Sequence, residues 1–241
     1  MSLFGKTVLI TGSAHRVGKV MALAVAQAGG DVIIHHAHSA DQARQTQKEI
    51  EGLGRRAAVL EADLSDPRTA FELIEKSWNF NPLFALVNSA AIFEPLDWDQ
   101  ASRSDWQRHL DINLTAPFLL SQAFARRILP EKTGRIVNIL DWRALRPGAD
   151  HIPYTISKAG LAALTQSLAQ AFAPQITVNG LAFGAILPPS GGRDNPDLLQ
   201  DYPAGRWADS DEVGQALIFL LDGPSYITGE IIHLDGGRHL V

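Results

Sequence analysis

Tyr154 and Lys158 stand four residues apart in Tyr154-Thr-Ile-Ser-Lys158. On a helix that spacing puts a phenol and an ammonium on one face. A nearby cation favours the phenolate and lowers the phenol pKa, which suits a proton donor working near neutral pH. A second candidate chemistry lies near the N-terminus, in Thr11-Gly-Ser-Ala-His-Arg-Val-Gly18. Gly12 permits a tight turn and Gly18 lets a following helix pack close to a strand. The free N–H groups of that helix start would then face a pyrophosphate. Ser13, Arg16 and Val17 belong to the same candidate cofactor turn. A plain strand-to-helix turn is the competing reading.

Cofactor choice is read further along, in His35-His36-Ala37-His38-Ser39, where the first acid is Asp41. A site for NAD usually has an acid here to accept the ribose hydroxyls. An anionic 2′-phosphate would instead meet His36, His38, Ser39 and a helix start, which favours NADP(H). Ser39 also suits a helix N-cap paired with Gln42 in a capping box. Successive strand positions point to opposite faces, so the histidines do not converge and no metal site is expected.

The elements that must position these groups alternate along the whole chain. Strands are predicted at 8–10, 31–34, 57–60, 83–87, 134–139, 176–178 and 230–234. Helices are predicted at about 17–28, 40–53, 104–129 (one long helix or a pair), 154–172 and 211–221, with another opened by Ser65-Asp66-Pro67, a cap followed by proline. Gly29-Gly30 ends the first helix. This βαβ alternation implies an α/β class: a doubly wound, parallel seven-stranded sheet with helices on both faces. Ligands in such folds lie beyond the carboxyl ends of the strands. Gly184 and Ile186 follow strand six and are expected at the cofactor, with Gly184 allowing close backbone approach. Residues 187–207 form the one long irregular stretch, a candidate substrate loop beginning at Leu187.

Thr11-Gly12 with Gly18, Asn88-Ser89-Ala90 after strand four, Asn113, Tyr154/Lys158 and the ending Leu234-Asp-Gly-Gly237 together resemble the short-chain dehydrogenase/reductase family over essentially the whole chain. The resemblance implies a single-domain Rossmann fold over 1–241. It implies that Tyr154 protonates substrate, Lys158 also holds the nicotinamide ribose, and Asn113 supports a proton-relay water. It places Asn88, Ser89 and Ala90 on the adenosine side, and Asp63 and Leu64 at adenine. Two departures narrow it. Asp141 stands thirteen residues before the tyrosine, where the family usually has serine, and Arg16 replaces a usual glycine. Both are similar to the pteridine reductase and dihydromonapterin reductase branch. There the loop arginine reaches substrate and cofactor phosphate, and an aromatic in the segment matching Phe93 sandwiches the pterin against nicotinamide. A carboxyl group also suits the amino-pyrimidine edge of a pterin. An ionised Asp141 would raise the Tyr154 pKa and oppose Lys158, unless a proton is shared or Arg16 or Arg143 offsets it. Simpler roles remain open: Asp141 as a cap, Phe93 as core, Arg16 as a solvated loop residue. Phe183 departs from the family's Pro-Gly and reshapes that wall, and Trp142 with Leu187 would line a pocket for a planar or apolar substrate.

The bulk numbers agree with an enzyme of small molecules. The chain has 241 residues, 46% hydrophobic and 20% charged, enough for a large core without disulfides. It has no cysteine, which excludes thiolate nucleophiles and Cys-ligated metals and fits a cytoplasmic protein. The net charge of −5 and scattered basic residues argue against nucleic acid or an anionic membrane as partner. No apolar run approaches the roughly 20 residues that span a bilayer, and no leader is expected ahead of Lys6-Thr-Val-Leu-Ile10. The expectation is an NADPH-dependent reductase of a dihydropterin. The alternatives are a ketone, aldehyde or oxoacyl reductase, and a non-catalytic dinucleotide sensor. The presence of Tyr154, Lys158 and Asn113 speaks against the sensor, since a pure binder needs no proton donor. The helix over 154–172 is rich in Ala, Leu and Ser, and in the resembling family such helices pack into homotetramers.

Overall fold

The computed structural model describes residues 2–188 and 199–241. The strands are β1 (Thr7–Ile10), β2 (Asp31–His36), β3 (Ala57–Glu61), β4 (Ala85–Asn88), β5 (Gly134–Asp141), β6 (Ile176–Phe183) and β7 (Ile231–Leu234). They form one sheet in the order β3-β2-β1-β4-β5-β6-β7, with every neighbouring pair parallel. The helices are α1 (Arg16–Gln27), α2 (Ala40–Gly52), α3 (Pro67–Phe80), α4 (Arg103–Leu110), α5 (Ala116–Ala125), α6 (Ile152–Phe172) and α7 (Ser210–Asp222).

Alternation along the strands explains the layers. Val8, Ile10, Val32 and Ile34 face α1, α2 and α7, packing with Met21, Val25, Ile50, Val213 and Leu217. Leu9, Ile33, Leu86 and Ile136 face the other way, against Leu73, Leu120, Phe124 and Leu168 of α3, α5 and α6. Both sheet faces are buried, which is why these strands read as continuous apolar runs. Each fully buried Leu or Ile contributes roughly 1.5–3 kcal/mol. The strand order reverses between β1 and β4, so a crevice opens there beyond the strand ends.

The elements differ from expectation where polar residues do structural work. β6 continues five residues past 178 because Asn179 is satisfied internally. Its amide donates to the Ile227 carbonyl at 3.0 Å and its oxygen accepts from the Glu230 N–H at 3.0 Å. Gly180 then leaves room for Leu140, whose Cδ1 would lie 2.6 Å from an added Cβ. The helix expected over 104–129 is α4 and α5 joined by a π-helical turn at Asp111–Thr115. α6 starts two residues early, after His151 takes a left-handed backbone with φ 51. Of the expected substrate loop over 187–207, residues 189–198 lie outside the described residues.

Candidate active site

A cleft of about 780 Å³ runs along the carboxyl ends of the strands, within the size range of cofactor and substrate sites. Its first wall is the turn after β1. Thr11 Oγ1 accepts from the Ser89 and Ala90 N–H groups at 2.9 and 3.0 Å, tying this turn to the one after β4. Gly12 has φ 66, and a Cβ on it would fall 2.8 Å from Ala90 Cα. A Cβ on Gly18 would fall 2.2 Å from the Gly12 carbonyl oxygen. Only glycine fits either place. His15 precedes α1 without a side-chain cap and the first turn has no acid, so the helix start is open to an anion.

His35 braces this turn from below. The Gly12 N–H donates to Nδ1 at 3.1 Å, so Nε2 carries the proton and donates to the Ala62 carbonyl at 3.0 Å. Burial holds the imidazole neutral, with its pKa lowered to about 4. Ser13 is also a brace, because its hydroxyl donates to the Ile10 carbonyl at 2.7 Å and its side chain is fully buried. Arg16, Val17 and Gly18 line the cleft. Arg16 has φ 52, a left-handed conformation that costs a non-glycine residue roughly 1–2 kcal/mol, and its Nη2 donates to the Pro188 carbonyl at 3.1 Å.

His36, His38, Ser39, Asp63 and Leu64, the residues expected around adenosine, all line the cleft. His36 is buried, and its Nδ1 has no hydrogen-bond partner among the described residues. Ser39 precedes α2, but the expected capping bond is missing. Its φ −110, ψ 50 backbone departs from the extended geometry that aims a hydroxyl at the helix start. Asp63 accepts from the Ser65 N–H at 2.9 Å, and the Ser65 hydrogen bonds hold its carboxyl below the usual range.

The reacting end gathers the residues after β5 and at the start of α6. The Tyr154 hydroxyl donates to Asp141 Oδ2 at 3.2 Å. Burial raises the Asp141 carboxyl above its usual range, against the Arg143 N–H, the Arg143 guanidinium and the Lys158 ammonium. Burial and then the Asp141 charge hold the Tyr154 phenol well above its ordinary value. The expected lowering by Lys158 is absent here. The Lys158 ammonium donates to the Ile139 carbonyl at 2.7 Å and lies 5.8 Å from the tyrosine ring centre. Burial lowers the Lys158 pKa to about 8. Asn113, in the π-helical turn, accepts from the Ile92 N–H at 2.9 Å and donates to the Ile92 carbonyl at 3.0 Å and Ser157 Oγ at 3.0 Å. It thereby fixes the segment leading to Phe93. The Phe93 ring is half exposed, meets Tyr154 edge-on at 4.6 Å and stacks on His151 at 4.3 Å. It is therefore at the cleft and not core.

Four expected residues do not line the cleft: the buried Ser13 and Asn113 described above, and Asn88 and Trp142. Asn88 is buried under the sheet end, donating to Asn138 Oδ1 at 2.8 Å and Ser121 Oγ at 3.3 Å, while Ser89 and Ala90 do line the cleft. Trp142 turns away from the cleft and is held between Arg143 and Arg238, 4.6 and 4.5 Å from its ring centre. Gly184, Ile186 and Leu187 line the cleft with Phe183. A Cβ on Gly184 would lie 2.7 Å from Asp235 Cα and 2.8 Å from Tyr202 Cε1. His35 and His151 were not singled out from sequence. Alternation does not tell which of two adjacent histidines turns inward, and nothing in the local pattern announces a left-handed residue before α6.

A family model described as enoyl-(acyl carrier protein) reductase matches residues 12–239. The 3-oxoacyl-[acyl-carrier-protein] reductase of Aquifex aeolicus is 34% identical over 98% of this chain and 98% of its own. The 2-dehydro-3-deoxy-D-gluconate 5-dehydrogenase of Bacillus subtilis is 33% identical over 98% of this chain and 95% of its own. Among solved structures, FolM alternative dihydrofolate reductase 1 from Brucella canis, complexed with NADP, superposes with a TM-score of 0.93 at 31% identity, covering 100% of this chain and 96% of its own. On these matches and on its seven-stranded parallel sheet, the chain belongs to the short-chain dehydrogenase/reductase family.

Proposed function

We propose that this protein is an NADPH-dependent oxidoreductase that reduces a dihydropterin at a C=N bond. The cofactor assignment is supported by the related structures solved with NADP or NADPH. It also fits residues of this chain: a glycine cradle that any Cβ would fill, an open helix start, and the unpartnered His36 nitrogen where the 2′-phosphate would lie. NADPH, when bound, supplies the hydride. Lys158 would hold the ribose beside the reacting ring. Tyr154 stays protonated through neutral pH because burial and Asp141 keep its pKa high, so the phenol is the form present, and it would give up its proton only to a strongly basic nitrogen such as the one hydride addition leaves on the substrate. Tyr154 and Asp141 form one hydrogen-bonded unit in which a proton can pass between them.

The observation that carries the pterin reading is Asp141, a carboxyl group bonded to the donor tyrosine in the position the family usually gives to serine. A carboxylate can accept from the amino-pyrimidine edge of a pterin, and Phe93 offers an aromatic face beside it. The FolM relative points the same way. The oxoacyl and sugar-acid relatives favour a second reading, reduction of a carbonyl. Asp141→Ser separates them. On the first reading it lowers kcat/KM for a dihydropterin by about 100-fold, as for loss of an acid–base partner, with no gain on an oxoacyl thioester. Improved thioester reduction with no pterin loss would support the second.

The same reading includes a homotetramer in the cytoplasm. No described helix is long and apolar enough to cross a membrane, and Trp106, Phe118 and Ile156 of α4, α5 and α6 remain more than a third exposed.

A further inference from the structure

Asp141 ends β5, and the chain turns at once through a single 3₁₀ turn, Trp142–Ala144. That turn brings the Arg143 N–H onto Asp141 Oδ1 at 2.9 Å and leaves the guanidinium alongside, with Nη1 3.8 Å from the same oxygen. The other end of the guanidinium donates to Asp150 Oδ2 at 3.0 Å. Asp150 is aimed back at Arg143 by the chain reversal at His151, whose left-handed φ of 51 also lets its Nδ1 meet the same Asp150 oxygen at 3.0 Å. Trp142 and Phe93 stack on the guanidinium, their ring centres 4.6 and 6.0 Å away. The side chain is mostly buried, at 18% exposure, so its charge is weakly screened.

We propose that Arg143 is a positioning residue of the active site: its guanidinium, divided between Asp141 and Asp150, fixes where Asp141 points and keeps it a carboxylate beside Tyr154. The proposal rests on the reading of Asp141 and Tyr154 as the reacting pair, and applies whether the substrate is a pterin or a carbonyl. The groups facing Asp141 are the Tyr154 hydroxyl, Lys158 and Arg143, with Tyr202 also within electrostatic reach. Those facing Arg143 are Asp141, Asp150 and Tyr202, with Arg238 across the Trp142 ring. Lys158 is committed to the Ile139 carbonyl. Arg143 is therefore the cation best placed to answer the burial of Asp141. A residue that merely knitted the 3₁₀ turn to α6 would stabilise the fold and leave the titration of Asp141 alone.

Because the titration can be read without substrate, the test does not depend on the pterin reading. The protein is labelled with aspartate carrying carbon-13 in the side-chain carboxyl, and the Asp141 resonance is identified by its loss in Asp141→Asn. Arg143→Gln is expected to raise the Asp141 midpoint by about one pH unit or more, as removal of an adjacent arginine does, and Arg143→Lys to restore most of that shift. Asp150→Asn leaves Arg143 with one carboxylate to serve and is expected to lower the midpoint. The acid limb of the kcat/KM profile, on whichever substrate turns over, should move with the midpoint. An unmoved midpoint in Arg143→Gln, or a rise in Asp150→Asn, would overturn the proposal. Turnover of carbonyls alone would instead overturn the pterin reading and leave this one standing.

Discussion

Arg16 shows how a single side chain can keep an unfavourable backbone. Its left-handed φ of 52 suits glycine, and the chain accepts the cost while keeping an arginine in the lining of the cleft. Arg16→Gly should weaken NADPH binding by about tenfold, the scale of a lost hydrogen bond to a charged group. Stability should stay within about 1 kcal/mol, because relief of the left-handed strain offsets the entropy that glycine adds to the unfolded chain. Fluorescence titration with NADPH and a urea melt measure the two effects, and an unchanged Kd would remove Arg16 from the cofactor site. That Tyr154 and Lys158 lie on one face of α6 is legible because helical spacing dictates it. Their electrostatics are not. A four-residue spacing says nothing of the burial and the Ile139 carbonyl that together govern the ammonium. Asn88 and Trp142 are buried off the cleft lining for a related reason, since a position at a strand end does not say which way its side chain turns.

At the scale of elements, the glycine turn after β1 depends on contacts distant in sequence. His35 of β2 links Gly12 after β1 to Ala62 after β3, and it can do so only as a neutral ring. Its folded pKa of about 4 lies below the unfolded value of 6.5. The unfolded chain therefore gains a proton first as pH falls, and stability is lost between about pH 6.5 and 4. Between about pH 7.5 and 5 the loss from this residue should be about 2 kcal/mol in urea unfolding. His35→Gln should be less stable at neutral pH and show a flatter pH dependence by a similar amount. An equal slope in both proteins would mean that His35 is not the group responsible. The parallel seven-stranded sheet and its two helical layers are readable from the βαβ alternation. The interruption between α4 and α5 is not, because the π-helical turn exists to carry Asn113 to the backbone of Ile92, a contact 21 residues away.

For the whole molecule, the exposed aromatic residues matter most. Trp106, Phe118 and Ile156 lie on α4, α5 and α6, and α6 packs against both of the other helices. Light scattering should give a mass four times that of the 26.2 kDa chain, and a monomeric mass would remove the tetramer from the account. The central claim concerns what the cleft reduces. Its most direct test is steady-state oxidation of NADPH by the purified protein with dihydrobiopterin or dihydromonapterin, beside NADH and a set of ketones and oxoacyl thioesters. The account predicts saturable turnover of the pterin, selective for NADPH. Turnover confined to the carbonyl compounds would contradict it.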